Sequence, residues 1–156
     1  MGSKTPVIAI SGYSDSGKTS LLLRIIERLT AKGYKIGVIK HHQHSPLRDK
    51  PTRKEGSLKD TQQFLKAGAV KVVLLEGEVN IDDEIGKVDQ SDLDLLMVEG
   101  FKSSTLPKFY LLKNDIITKQ ETLKNVLGYV SSNADDRLGF SPWYQYNEPE
   151  AIVDYI

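Results

Sequence analysis

Short apolar runs separated by polar, glycine-punctuated stretches set the frame of this chain. Val7-Ile8-Ala9-Ile10 suits a buried strand, and the helix-forming stretch Leu21-Leu22-Leu23-Arg24-Ile25-Ile26-Glu27-Arg28-Leu29 follows it, ending near Gly33. Lys35-Ile36-Gly37-Val38-Ile39 predicts a second strand, Leu58 to Ala67 a helix stopped by Gly68, Val70 to Leu75 a third strand and Leu93 to Val98 a fourth. Phe109-Tyr110-Leu111-Leu112 and Val126 to Val130 complete the series. Strands alternating with helices predict an α/β fold, a mostly parallel sheet with helices on both faces. Ligands of such sheets gather at the carboxyl ends of the strands, so functional residues are expected just after each strand. The acidic stretch Asp82-Asp83-Glu84 reads as a solvated connection, and no internal repeat or low-complexity segment is evident.

Between the first strand and the first helix lies Gly12-Tyr13-Ser14-Asp15-Ser16-Gly17-Lys18-Thr19-Ser20, a complete G-x-x-x-x-G-K-[ST] phosphate-binding loop in the strand, loop, helix order the motif needs. The fold class is then a three-layer P-loop NTPase. Gly12 and Gly17 let the backbone turn tightly, so that amide N–H groups from about Asp15 to Ser20 converge on phosphate while the helix N-terminus adds its dipole. Lys18 is expected along the β- and γ-phosphates, and the Thr19 hydroxyl on Mg²⁺. Ser14, Ser16 and Ser20 complete the nucleotide-binding segment. Asp15 places a carboxylate inside an anion cradle, where it repels phosphate.

Composition narrows the partners. At 156 residues the chain is expected to form one domain, residues 1–156, since no Pro/Gly/Ser-rich linker divides it. Lys plus Arg equals Asp plus Glu at 21 each, which removes the bulk basic field of a general nucleic-acid binder. Without cysteine, disulfides, thiolate catalysis and Cys-ligated zinc are excluded. No apolar stretch approaches the roughly 20 residues of a membrane span, and no signal peptide is read at the start of the chain. A soluble cytoplasmic protein with no nucleic-acid or membrane partner is expected.

Every histidine falls within Lys40-His41-His42-Gln43-His44, directly after the second predicted strand. Three readings stand: a metal site, a loop whose Lys40 and histidines contact nucleotide, product or partner, and a plain polar loop. Ser45 to Lys59 is locally basic and broken by Pro46, Pro51 and Gly56, a loop suited to a phosphorylated ligand or an acidic partner, or else merely solvated. Asp60, placed at the start of the next helix, either complements the helix dipole or binds Mg²⁺ through water and orients the attacking water. Leu93-Asp94-Leu95-Leu96-Met97-Val98-Glu99-Gly100 has the Walker-B arrangement, an apolar strand ending in a carboxylate. Glu99 is assigned to Mg²⁺ or its water shell, whereas Asp94, at the opposite end, reads as solvated.

The sequence Gly12 to Leu22, then Gly37-Val38-Ile39-Lys40-His41-His42, then Lys59-Asp60-Thr61 with Ala67-Gly68-Ala69, then Asp94 to Lys102, resembles the molybdopterin-guanine dinucleotide biosynthesis protein B family over residues 7 to 113. The resemblance implies a homodimeric GTP-binding protein of weak GTPase activity that requires Mg²⁺. It implies as partner the enzyme that attaches GMP to molybdopterin, a molybdopterin guanylyltransferase. Asp60 and Glu99 would serve hydrolysis, and Thr19, Asp60 and Glu99 the metal. Guanine preference is implied by the family alone, because Lys113-Asn114-Asp115 does not reproduce an N-K-x-D signature. A P-loop small-molecule kinase, with the basic segment as lid, and a nucleotide-dependent scaffold without turnover are the competing functions.

Overall fold

The computed structural model describes residues 4–13, 16–42, 53–112, 123–132 and 142–156, with the backbone alone for 53–58. Its elements run β1 (Val7–Gly12), α1 (Lys18–Ala31), β2 (Ile36–His42), α2 (Arg53–Ala67), β3 (Lys71–Glu76), α3 (Ile81–Lys87), β4 (Leu95–Glu99), β5 (Lys108–Leu111), β6 (Val126–Ser131), β7 (Trp143–Gln145) and α4 (Glu150–Tyr155). The seven strands form one sheet in the order β3-β2-β4-β1-β5-β6-β7, and every adjacent pair is parallel.

Because successive side chains of a strand point to opposite faces, each central strand feeds two apolar layers. Ile10, Val38, Leu95 and Met97 pack with Leu22, Ile25 and Ile26 of α1, Phe64 of α2 and Ile152 of α4. Ala9, Ile39, Leu96 and Val98 face the other way, onto Ile81 and Ile85 of α3. The expected three-layer α/β arrangement results, with β1 at the centre of the sheet.

Local chemistry sets the ends of the elements. α1 stops at a Schellman-type turn in which Gly33, at φ 93°, adopts the left-handed conformation, and the Tyr34 amide donates to the Leu29 carbonyl at 3.2 Å. Three elements depart from the sequence reading. The acidic stretch is no solvated connection but the first turn of α3, where the Asn80 side chain accepts from the Asp82 and Asp83 amides at 2.9 and 3.2 Å; carboxylates there complement the helix dipole. α2 begins at Arg53, five residues before the predicted Leu58, and runs through Gly56. Asp60 therefore lies at the middle of that helix and not at its start, and the C-terminal part of the basic segment is helical. β2 continues through Lys40, His41 and His42, because Leu74, Leu75 and Glu76 of β3 offer those residues parallel partners; these three belong to a strand end and not to a loop.

Candidate functional site

β1 delivers the glycine loop to the carboxyl edge of the sheet. Gly17, at φ 91°, is the N-cap of α1, and a Cβ there would lie 2.5 Å from the Tyr146 hydroxyl; one on Gly12, at φ 154°, would lie 2.9 Å from the Leu111 carbonyl oxygen. Both motif glycines are thus required by backbone angle and by space. The Lys18 ammonium folds back along the loop, donating to the carbonyls of Gly12 at 3.0 Å and Tyr13 at 2.6 Å. The Ser16 hydroxyl is buried without a hydrogen-bond partner among the described residues, and Ser20 is exposed on the first turn of α1. Ser14 and Asp15 of the loop, and His44 of the histidine cluster, lie outside the described residues.

The acids predicted from separate parts of the chain meet beside the loop. Parallel pairing sets Lys40 opposite Glu99 at the ends of β2 and β4, and α1 brings Thr19 against them. The Thr19 hydroxyl donates to Glu99 Oε1 at 2.8 Å. The Lys40 ammonium lies 2.6 Å from Asp60 Oδ2, 3.3 Å from Thr19 Oγ1 and 3.6 Å from Glu99 Oε2. The Lys40 and Glu99 side chains are only 9% and 7% exposed, so these charges interact with little screening. Position of the carboxylate is held from both sides: the Gly100 amide donates to the Ile10 carbonyl at 2.9 Å, and the Ser11 hydroxyl donates to the Gly100 carbonyl at 2.6 Å.

The oxygens of Thr19, Asp60 and Glu99 form the hard donor set that suits a magnesium ion. Glu99 Oε2 is buried and accepts no hydrogen bond from the described residues, which leaves it lone pairs to offer a cation. These residues fit the ion that the sequence assigned to them. Among the described residues no group of three His, Cys, Asp or Glu side chains could hold a metal.

Of the two described histidines, it is His41 that alternates to the face of β2 opposite Lys40. Alternation along β2 sends His41 toward the turns after β3 and β4, where its Nε2 lies 2.6 Å from the Gly77 carbonyl oxygen and its ring stacks on Phe101 at 4.5 Å. Phe101 holds a φ of 53°, a left-handed conformation uncommon for a bulky residue, two positions after Glu99. His42 Nε2 is buried with no hydrogen-bond partner among the described residues.

Sequence reasoning missed Tyr146 and Arg24. The Tyr146 hydroxyl donates to the Gly17 carbonyl at 3.1 Å, and the Arg24 guanidinium lies 4.6 Å from the centre of the Tyr146 ring, so the segment after β7 buttresses the glycine loop. Only the fold brings these together, since 129 positions separate Tyr146 from Gly17. Asp94 is exposed as expected and accepts from the Lys35 amide at 2.7 Å. No described helix is long and apolar enough to cross a membrane.

Known proteins resemble the chain in sequence and in fold. Residues 7–132 match the family described as MobB, molybdopterin guanine dinucleotide synthesis protein B. The chain is 30% identical to the molybdopterin-guanine dinucleotide biosynthesis adapter protein of Escherichia coli, covering 100% of this chain and 95% of that protein. It is 35% identical to the adapter protein of Haemophilus influenzae over 74% of this chain and 68% of that one. Among solved structures, Bacillus subtilis MobB superposes with a TM-score of 0.65 at 22% identity, covering 96% of this chain and 94% of that one. The Bacillus stearothermophilus MobB homologue superposes with a TM-score of 0.62 at 18% identity, over 96% and 93% of the two chains. Matched over most of its length in sequence, and sharing that fold, the chain belongs to the MobB family.

Proposed function

We propose that this chain is a GTP-binding adapter of molybdopterin guanine dinucleotide biosynthesis, hydrolysing GTP slowly with Mg²⁺ and assisting a molybdopterin guanylyltransferase. The adapter role is carried by the relatives' own description as molybdopterin-guanine dinucleotide biosynthesis adapter proteins. The nucleotide role is carried by one observation above all, the 2.8 Å hydrogen bond from Thr19 to Glu99 across 80 positions at the mouth of a glycine loop. That bond joins the hydroxyl and the acid which P-loop proteins devote to the metal of a nucleoside triphosphate.

In this reading Thr19, Glu99 and Asp60 hold Mg²⁺ directly or through its waters. The ion, when bound, neutralises charge building up between the β- and γ-phosphates. The loop amides and Lys18, released from the Gly12 and Tyr13 carbonyls, bind the phosphates, and Asp60 or Glu99 orients the attacking water. Slow turnover suits an adapter, whose nucleotide serves as a state to be read by a partner. A cytoplasmic homodimer is the matching assembly, and light scattering of the purified chain gives its mass.

Calorimetric titration of GTP and of ATP, each with Mg²⁺, tests the proposal. GTP is expected to bind the more tightly, and release of phosphate is expected to be slow until the partner transferase is added. Equal affinities for the two nucleotides, or rapid phosphate transfer to a small acceptor, would overturn it.

A further inference from the structure

Four elements, β2, β4, α1 and α2, converge on the ammonium of Lys40. Its neighbours, Asp60 Oδ2 at 2.6 Å, Thr19 Oγ1 at 3.3 Å and Glu99 Oε2 at 3.6 Å, belong to the three residues assigned above to the metal. Lys40 is 7% exposed, and its strand position opposite Glu99 is fixed by the register of β2 on β4. A buried cation of the protein's own thus sits among oxygens that suit a divalent ion. Two cations cannot share such a pocket, because at a separation of a few ångströms and low effective dielectric their repulsion is many times thermal energy.

We propose that Lys40 is a built-in counter-cation that excludes a divalent ion from Thr19, Asp60 and Glu99 until a phosphate group at the glycine loop draws its ammonium away. This deepens the proposed nucleotide reading and rests on it. Before loading, Lys40 offsets part of the charge of Asp60 and Glu99, which otherwise repel each other at this site. A terminal phosphate offers the ammonium an oxygen anion in exchange, and the vacated carboxylates then favour the metal. Its flexible four-carbon stem lets the ammonium change partner without backbone movement. Metal entry becomes conditional on the triphosphate, which keeps the site from filling with Mg²⁺ alone.

The test uses Mn²⁺ as probe, without nucleotide, followed by electron paramagnetic resonance of the free ion. Lys40→Met should bind Mn²⁺ at least about tenfold more tightly than the wild type, and Lys40→Arg, which keeps the charge, should bind as weakly as the wild type. Equal affinity of wild type and Lys40→Met, including no measurable binding by either, overturns the proposal, as does tight binding by Lys40→Arg. Should Lys40→Met fail to fold, the Lys40 ammonium resonance of the ¹⁵N-labelled wild type decides. Mg²⁺ alone should leave that resonance in place, and GTP with EDTA should move it. Movement by Mg²⁺ alone, or none by GTP under conditions where calorimetry shows GTP bound, overturns the proposal. Failure of GTP to bind at all overturns the nucleotide reading instead, and the Mn²⁺ comparison, made without nucleotide, still decides the role of Lys40.

Discussion

Two buried lysines stand at opposite ends of the sheet and are satisfied in different ways. Lys40, at the carboxyl end of β2, faces two carboxylates and a hydroxyl. Lys108, at the amino end of β5, is fully buried and donates only to backbone carbonyls, those of Lys102 and Lys124 at 3.2 and 3.0 Å and that of Ser104. Burial pulls the pKa of Lys108 below its usual 10.5, since neutral carbonyls only partly replace water around an ammonium. The first lysine pairs with side-chain carboxylates that can accept another cation. The second staples the turn after β4 to the segment before β6, and its partners are peptide groups with no alternative. Two residues of one type therefore divide into an exchangeable cation and a fixed structural one, according to what their nitrogens can trade.

The largest effect expected is on Lys108. Lys108→Ala removes the donor shared by the Lys102, Ser104 and Lys124 carbonyls and opens a cavity, so it should cost about 3–5 kcal/mol in chemical denaturation, and no added Mg²⁺ should restore it. Lys40→Met should cost less, and part of the loss should return with Mg²⁺, which can take over the neutralising role. Equal losses that are both insensitive to Mg²⁺ would erase the distinction drawn between the two sites.

Next in size is Lys18, which separates nucleotide binding from the acid cluster. Lys18→Ala should weaken GTP binding roughly a hundredfold, through loss of charge-assisted hydrogen bonds to phosphate. Unchanged affinity in calorimetry would remove the loop from the site. Asp60→Ala and Glu99→Gln should instead lower single-turnover hydrolysis, with the partner transferase present, by roughly ten- to a thousand-fold while altering affinity less. Full hydrolysis in both variants would shift catalysis to another residue or a second subunit.

The smallest expected effects are in pH. Lys108 has a folded-state pKa below its unfolded one, so the folded state binds fewer protons in the interval between them. Stability should therefore gain as pH rises through that interval toward 10.5. The wild type minus Lys108→Met difference in denaturation midpoint isolates this gain; a flat difference would mean that the ammonium is not strained by burial. Glu150 gives a pH slope of the same sign, at the acid end of the range. A hydrogen bond from Arg28 at 2.6 Å holds its carboxyl below the usual 4.5. Its small contribution is present above that value, is lost as pH falls through the folded-state pKa, and should vanish in Glu150→Gln.

Much of this was legible in the sequence, for a physical reason. The glycine loop is contiguous, and its chemistry depends on backbone angles and local spacing, so residues 12 to 20 and the strand and helix beside them could be read directly. Apolar runs located six of the seven strands because buried parallel strands are continuously hydrophobic, and Glu99 was found because a strand end followed by glycine is also a local pattern. The early start of α2 escaped because Pro51 and Gly56 argue locally against a helix. The helix under Asp82, Asp83 and Glu84 escaped because charge was weighed ahead of the Asn80 cap. β7 spans three residues, too few to carry a period. What only the tertiary structure decided is who meets whom: Lys40 among Thr19, Asp60 and Glu99, His41 turned away onto Phe101, Tyr146 braced on Gly17, Lys108 on its carbonyls. Those meetings depend on strand register and on crossovers between distant segments, and no pattern within a short stretch of chain contains either.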